Sequence, residues 1–501
     1  MLKKITHIFL FTSFFLASLF PNTNNRFSQY FPLRQSSFYL IAEYELLDSD
    51  APIDVFIMNQ PFTYQSVKEI ISSDNRWEKV LSHKNRYLLD GEEDEHLGIV
   101  SRSGIKSYSN TYNSSMHPFT LTGGYISIPP FSVVNEFVLD KSLQYDNSFH
   151  GDTGEWLAGY FHESYGIVGL SSVELFGGRV SRNFGVLNDY GLILSNNPYA
   201  FDHYGFSATG QKYKYSFYTT RLNDIEAEDI QGDIIPIGDI QNSKRYWAVQ
   251  RFDVKLGPNA QLGLTEATVY GGPEQNVVAA YMNPVQFFYA AQRNQGIQLN
   301  SFWQVNIFIK PFENTGIFVD LLADDIIVNN EPGVDDRAVH PDRLGLLVKM
   351  SRALQKNQSL VSVRYARIWN ETYTSYRTFE NYTYFKKGLG FPMSSYEGLK
   401  FTYTALKYYP LFVESDLEFW RHGDRNLVAP FHDEINSFPV GPVEHGISTH
   451  LYISKFWAKG VEVELDYRID FSAGSYSELF SSASSSYELS ISAVYYFQKQ
   501  F

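Results

Sequence analysis

From Val461 to Phe471 the chain reads VEVELDYRIDF, so apolar and charged residues strictly alternate. Val461, Val463, Leu465, Tyr467, Ile469 and Phe471 fall on one face of an extended strand. Glu462, Glu464, Asp466, Arg468 and Asp470 fall on the other. The closing segment repeats the pattern, with Tyr487, Leu489, Ile491, Ala493, Tyr495, Phe497 and Phe501 opposite Ser486, Glu488, Ser490, Ser492, Gln498 and Gln500. A two-layer sandwich accommodates any one such strand, with the charged face in water. Many such strands of about ten residues point instead to a membrane barrel, where alternate side chains face lipid and a polar lumen.

The same alternation predicts segments near 119–128, 131–140, 155–164, 167–176, 189–196, 202–209, 213–222, 245–256 and 260–270. Others fall near 300–310, 315–327, 343–353, 359–369, 397–408, 411–421, 446–456, 460–471 and 486–500. The expected fold is therefore all-β: a transmembrane antiparallel β-barrel of about 18 strands over 119–501. The terminal Phe501, directly after an amphipathic strand, resembles the signal that barrel assembly machinery reads during biogenesis. Connections 223–243, 271–298, 328–342, 370–396 and 422–445 are read as outward loops, because such barrels keep their periplasmic turns short.

Lys3 and Lys4 precede an apolar run from Ile8 to Phe20, too short to span a bilayer, so residues 1–20 read as a secretory signal. A leader, mostly irregular, is expected over 21–60. Over 61–98 the period changes: Tyr64, Val67, Ile70 and Ile71, then Trp77, Val80 and Leu81, are spaced as on a helix. With the acidic run Asp90–Glu95 behind them, they predict a small helical element, a periplasmic cap or plug. Outer-membrane lipid and a Gram-negative-type envelope follow as expectations.

Of the 501 residues, 17% are aromatic, including 36 Tyr and 40 Phe, as aromatic girdles at two membrane interfaces would require. Without cysteine there is neither a disulfide nor a thiolate metal site. A net charge of −14 argues against nucleic acid as a partner.

Three segments resemble the capsule assembly Wzi-like family of outer-membrane proteins. The first is GRVSRNFGVLNDYGLILSNNP, Gly178 to Pro198, although Phe184-Gly185 stands where that family usually has Trp-Gly and the following Pro-Gly is missing. The second spans Glu266 to Asp325, with TEATVYGG, YMNPVQFFYAAQRN and LLADD. The third is SVRYARIWNETYTS, Ser362 to Ser375, followed by NYTYFKKGLGFPMSS, Asn381 to Ser395. The resemblance implies an 18-stranded barrel with a small N-terminal helical bundle that holds or organises surface polysaccharide and is not an enzyme.

No G-x-S-x-G or H-E-x-x-H motif occurs, and His162-Glu163 continues as Ser-Tyr-Gly. Ser448 and His450 share one strand face, which proton transfer between them would need, but a polar pair on the lumen wall explains them equally. Asp324-Asp325 and Asp335-Asp336 lack the spacing of a calcium loop and read as solvated charge. No metal or cofactor is expected. For polysaccharide, acidic or neutral, the candidate residues are Arg179 and the loop tyrosines Tyr373, Tyr376, Tyr382 and Tyr384, whose rings could stack on sugars. A porin-like channel for small solutes is the alternative, with lumen charges setting selectivity.

Overall fold

The computed structural model describes residues 29–33, 36–49, 52–71 and 96–500. It omits the connecting stretches 111–112, 129, 155–157, 226–242, 274, 296–298, 326–342, 409, 430, 432–436, 458–460, 476–478 and 480–482. Eighteen antiparallel strands form one closed barrel. In chain order they are β1 (His96–Asn110), β2 (Asn113–Ile128), β3 (Phe131–Asp140), β4 (Ala158–Leu170), β5 (Val173–Arg179) and β6 (Asp202–Thr209). Next come β7 (Tyr213–Arg221), β8 (Ser243–Gly257), β9 (Ala260–Pro273), β10 (Leu299–Phe312), β11 (Thr315–Asp325) and β12 (Arg343–Leu354). The last are β13 (Ser359–Ile368), β14 (Tyr396–Ala405), β15 (Leu411–His422), β16 (Glu444–Trp457), β17 (Val461–Ala473) and β18 (Ser484–Gln500). The ladder closes where β18 pairs with β1, Gln500 opposite His96.

Every second connection is a short turn, such as 171–172, 258–259 or 313–314, and these all lie at one end of the barrel. Ser171 and Asn314 take left-handed backbone there, which lets the chain reverse within two residues. All the long connections emerge at the other end, which is the external one.

The wall shows the predicted alternation. In β12, Arg343, Leu347, Lys349 and Ser351 are buried inward, while Met350 is exposed on the outer surface. Phe252, Leu264, Phe401 and Ile491 are exposed in the same way. An apolar belt of this kind is stable only in lipid. The chain is an outer-membrane β-barrel. Leu465 sits in that belt, opposite Ile453 and Ile491. Leu465→Arg should therefore cost about 2–4 kcal/mol if it lies near the midplane, read as a lower denaturation midpoint in vesicles.

Three expectations change. The barrel begins at His96 and not at 119, so the segment predicted as helical up to 98 already contains strand. Gly98 and Gly104 weaken the alternation of β1; an added Cβ at Gly98 would collide with the ring of Tyr125, and one at Gly104 with the Ile491 carbonyl and the ring of Phe119. Aromatic rings of β2 thus cover the glycines of β1. Conversely, 189–196 is not a strand, because Leu192, Ile193 and Leu194 are all buried, on both faces, within the lumen. The predicted leader contains helix α1 (Ser36–Asp48), followed by α2 (Tyr64–Ile71). The signal segment, Trp77 to Glu95, Asp335-Asp336 and Phe501 lie outside the described residues.

One side of the lumen is packed. Residues 29–71 enter at the end of the short turns, where Ile53 N donates to the Pro258 carbonyl at 3.2 Å. Their contacts run around one side of the barrel. Tyr30 stacks near Tyr165 of β4, ring centroids 5.5 Å apart, and its hydroxyl bonds Glu174 of β5. Asn59 bonds Ser216 of β7 and Asp253 of β8, and Ile57 N bonds Gln261 of β9. Glu43 of α1 takes Lys349 at 3.0 Å and the Ser351 hydroxyl at 2.6 Å, both from β12.

From the external end the 180–201 connection descends to meet this plug. Asn59–Gln60 pairs with Asn183–Phe184 as a two-residue ladder. The Asn188 amide donates to Glu43 at 2.6 Å. The hydrophobic core of the protein is thus inside its barrel, with Phe31, Tyr44, Phe184, Leu192, Trp247 and Phe302 all buried.

Candidate functional site

Plug and loops occupy the side lined by β4 to β12, which leaves space against β13 to β17. A cavity of about 750 Å³ runs there, from Met393, His422 and Glu444 at the external mouth to Leu33, Tyr39, Leu40 and Gln60 of the plug at its floor. Its wall is built by the period-two rule: β15 turns Glu414, Asp416, Glu418, Trp420 and His422 inward while Leu417 and Phe419 face out.

The wall charges are interlocked. Arg364 of β13 bonds Asp189 at 3.1 Å and Glu418 at 2.9 Å. Burial alone would raise the Asp189 carboxyl, but Arg364, Lys400 and Lys349 outweigh it and hold it below the usual carboxylate range. Lys400 of β14 pairs with Asp416 at 2.8 Å. His450 of β16 lies between two carboxylates, Nδ1 at 3.3 Å from Asp416 and Nε2 at 3.0 Å from Asp466. Ser448 accepts the Trp420 indole N–H at 2.9 Å. Both nitrogens of His450 are therefore turned to carboxylates, and Ser448 is held by Trp420, so the geometry couples neither to the other.

Glu414, Asp416 and His450 could each offer one metal-ligand atom, all within 4.8 Å of one another. The Lys400 ammonium on Asp416 already supplies the positive charge there.

The predicted sugar-binding tyrosines separate into two groups. Tyr373 and Tyr382 present no ring to a ligand, because both are fully buried. The Tyr373 hydroxyl donates to the Leu192 carbonyl at 2.6 Å. Tyr382 receives the Trp247 indole N–H at 3.0 Å and packs on Phe302, centroids 4.1 Å apart. The 370–396 connection folds into the lumen instead of projecting outward, and its Ser195–Leu389 and Asn197–Gly388 bonds join it to the 180–201 connection.

Tyr376 remains 55% exposed beside Phe431. Tyr384 joins an external aromatic group with Phe385, His150 and Tyr199, in which His150 stacks on Phe385 at 3.9 Å. Asp146 anchors it, accepting from Tyr199 at 2.5 Å and pairing with Lys387 at 3.3 Å. Burial would raise that carboxyl, but bonds from Ser148 and Tyr199, with Lys387 beside it, bring it to about 2.

Arg179 ties Asp202 at 2.7 Å and is a strand clamp. Arg182, three residues on, is buried, its guanidinium 3.9 Å from the Tyr218 ring centroid and bonded to Tyr30 of the plug at 3.3 Å.

No family model and no curated protein matches the sequence. Among solved structures, one similar in fold is Wzi, described as an outer membrane protein involved in group 1 capsule assembly in Escherichia coli and as a carbohydrate binding beta-barrel. It shares 10% identity with this chain at TM-score 0.59, over 90% of this chain and 97% of Wzi. The fold is Wzi-like. Acinetobacter baumannii OccAB4 and Pseudomonas aeruginosa OccK8 (OprE) are each 9% identical at TM-score 0.48, covering 81% of this chain and 99% and 98% of theirs. At these identities the likeness concerns architecture alone.

Proposed function

We propose that this barrel binds surface polysaccharide in its external shaft and does not cleave it. The observation that supports the reading is a deep shaft, open outward, whose floor is the protein's own N-terminal segment. Its walls alternate aromatic faces (Tyr190, Phe391, Tyr396, Trp420) with hydrogen-bonding side chains, a chemistry suited to pyranose rings.

Charge narrows the glycan. Along the shaft Arg364 is taken up by Asp189 and Glu418, and Lys400 by Asp416, which leaves Glu414, Glu444 and Asp470 against Arg468. A uronate-rich chain would meet uncompensated carboxylates, so uncharged or amino-bearing sugars are favoured.

Titrating purified protein in detergent with a neutral and a uronate-rich polysaccharide tests this, with the neutral one expected to bind more tightly. Trp420→Ala should weaken that binding roughly tenfold, about 1.4 kcal/mol, while the heat-modifiable band, the folded barrel whose migration on a detergent gel changes on boiling, persists. Unchanged affinity in Trp420→Ala would place the sugar elsewhere, with the aromatic group at Tyr384 next to be mutated.

A further inference from the structure

Residues 275–295 do not enter the lumen. Their direction follows from strand parity. Arg251, Asp253 and Thr265 face inward, since Asp253 meets Asn59 of the plug and Arg251 lies over Phe184. Gln250 and Glu266 therefore face outward as a cross-strand pair, next to the exposed pair Phe252 and Leu264. In the ladder row through them, Glu266 stands opposite Trp303, and Gln250 opposite Phe217, which pairs with Phe206. A carboxylate and an amide thus interrupt an apolar row on the lipid side of the wall.

The connection covers that interruption. The Glu266 carboxylate accepts the backbone N–H of Phe288 at 3.0 Å and of Tyr289 at 3.1 Å, at the start of helix α3 (Phe288–Gln295), and the Gln250 amide at 2.6 Å. Gln250 also donates to the Gln286 carbonyl at 3.1 Å, and the Tyr215 hydroxyl to that of Pro284. Beneath lie Tyr246, Ala248 and Tyr270, packed on Tyr281, Phe288 and Ala291 as a second core outside the barrel.

The surface this element turns away from the wall is apolar. Val285 and Phe287 are 68% and 67% exposed, with Val277, Met282 and Tyr289 also exposed. From Gln275 to Gln292, eighteen residues in a row, there is no Asp, Glu, Lys or Arg; Glu274 and Arg293 flank this uncharged run. Tyr289 packs edge-on against Trp303, itself exposed on the lipid-facing wall, so the loop surface continues the belt.

We propose that residues 275–295 form an external element inserted into the acyl chains of the outer leaflet, with Glu266 as the buried clamp that fixes it to the wall. Charged loops are repelled from hydrocarbon; this one satisfies its nearest carboxylate internally and turns Val277, Met282, Val285, Phe287 and Tyr289 outward, with uncharged Asn276 and Asn283 as exposed polar side chains beside them.

The chain has no cysteine, so single sites can be spin-labelled without background. Phe287→Cys and Val285→Cys, labelled and reconstituted in phosphatidylcholine vesicles, should show the oxygen-rich, nickel-chelate-poor accessibility of Leu264→Cys on the wall. Asp152→Cys in another external loop supplies the aqueous reference. Accessibility like that of Asp152→Cys would overturn the proposal, as would exclusion of both probes with spin–spin broadening, which would mean a second copy covers the face. Adding Glu266→Ala to Phe287→Cys should shift the label toward the aqueous reference while the folded band persists, and an unmoved label would remove Glu266 from its role as clamp.

Discussion

Arg251→Leu is expected to destabilise the folded barrel by about 3–5 kcal/mol, the range for a buried ion pair that loses one partner. Arg251 is fully buried and bonds Asp253 at 2.6 Å, Thr265 at 2.9 Å and Asn306 at 2.5 Å. Without it the Asp253 carboxylate keeps the Asn59 amide at 2.8 Å, with Lys214 near enough to act on it electrostatically, and stays buried beside an apolar side chain. Denaturant titration in vesicles, followed by loss of the heat-modifiable band, measures the change. Arg251→Leu with Asp253→Leu should recover most of the loss, since replacing both partners removes the orphaned charge. A single-variant loss under about 1 kcal/mol would mean that water or the plug already compensates Asp253.

That pair lies where reading the sequence was both strongest and weakest. Alternation located most of the wall correctly because each strand has a lipid face on one side, which demands apolar residues whatever the lumen holds. The expected polar lumen was less general. Trp247, Val249, Ala267, Val269 and Phe302 face inward on β8 to β10 because plug and loops cover them. Helix α1 gave little periodic signal for the same reason. Tyr39, Leu40, Ile41, Ala42 and Tyr44 surround it on all sides and all are buried, so it has no solvent face to mark a stripe.

The count of eighteen came from compensating differences: β1 was hidden by its glycines, while the lumen-buried 189–196 segment imitated a strand. The shaft was partly legible. Strands β13 to β17 are those whose inward positions are charged, and these are the strands that the plug leaves uncovered. Tyr373 and Tyr382 were misjudged as ligand-facing because sequence cannot distinguish a loop that projects from one that folds inward. Tyr373 and Tyr382 share the loop with Tyr376, yet only Tyr376 keeps an exposed ring.

Glu43 tests whether the plug governs passage through the barrel. It is the one α1 carboxylate that joins Lys349, Ser351 and Asn188 among the described residues, and it is buried with Lys349. Glu43→Ala leaves that ammonium without its carboxylate in the lumen, at a cost of about 3–5 kcal/mol. The eighteen-strand ladder does not depend on this contact, so the penalty falls on docking of α1 and the wall should remain closed. In planar bilayers the wild-type protein is expected to give no steady conductance, and Glu43→Ala to give discrete steps as α1 releases. Glu43→Gln, which keeps an acceptor for Ser351 and Lys349, should fall between them. Steady conductance of equal size in wild type and both variants would show that the plug is no barrier. The shaft would then be one limb of a channel, and the binding function would have to be rebuilt on its charges as a selectivity filter.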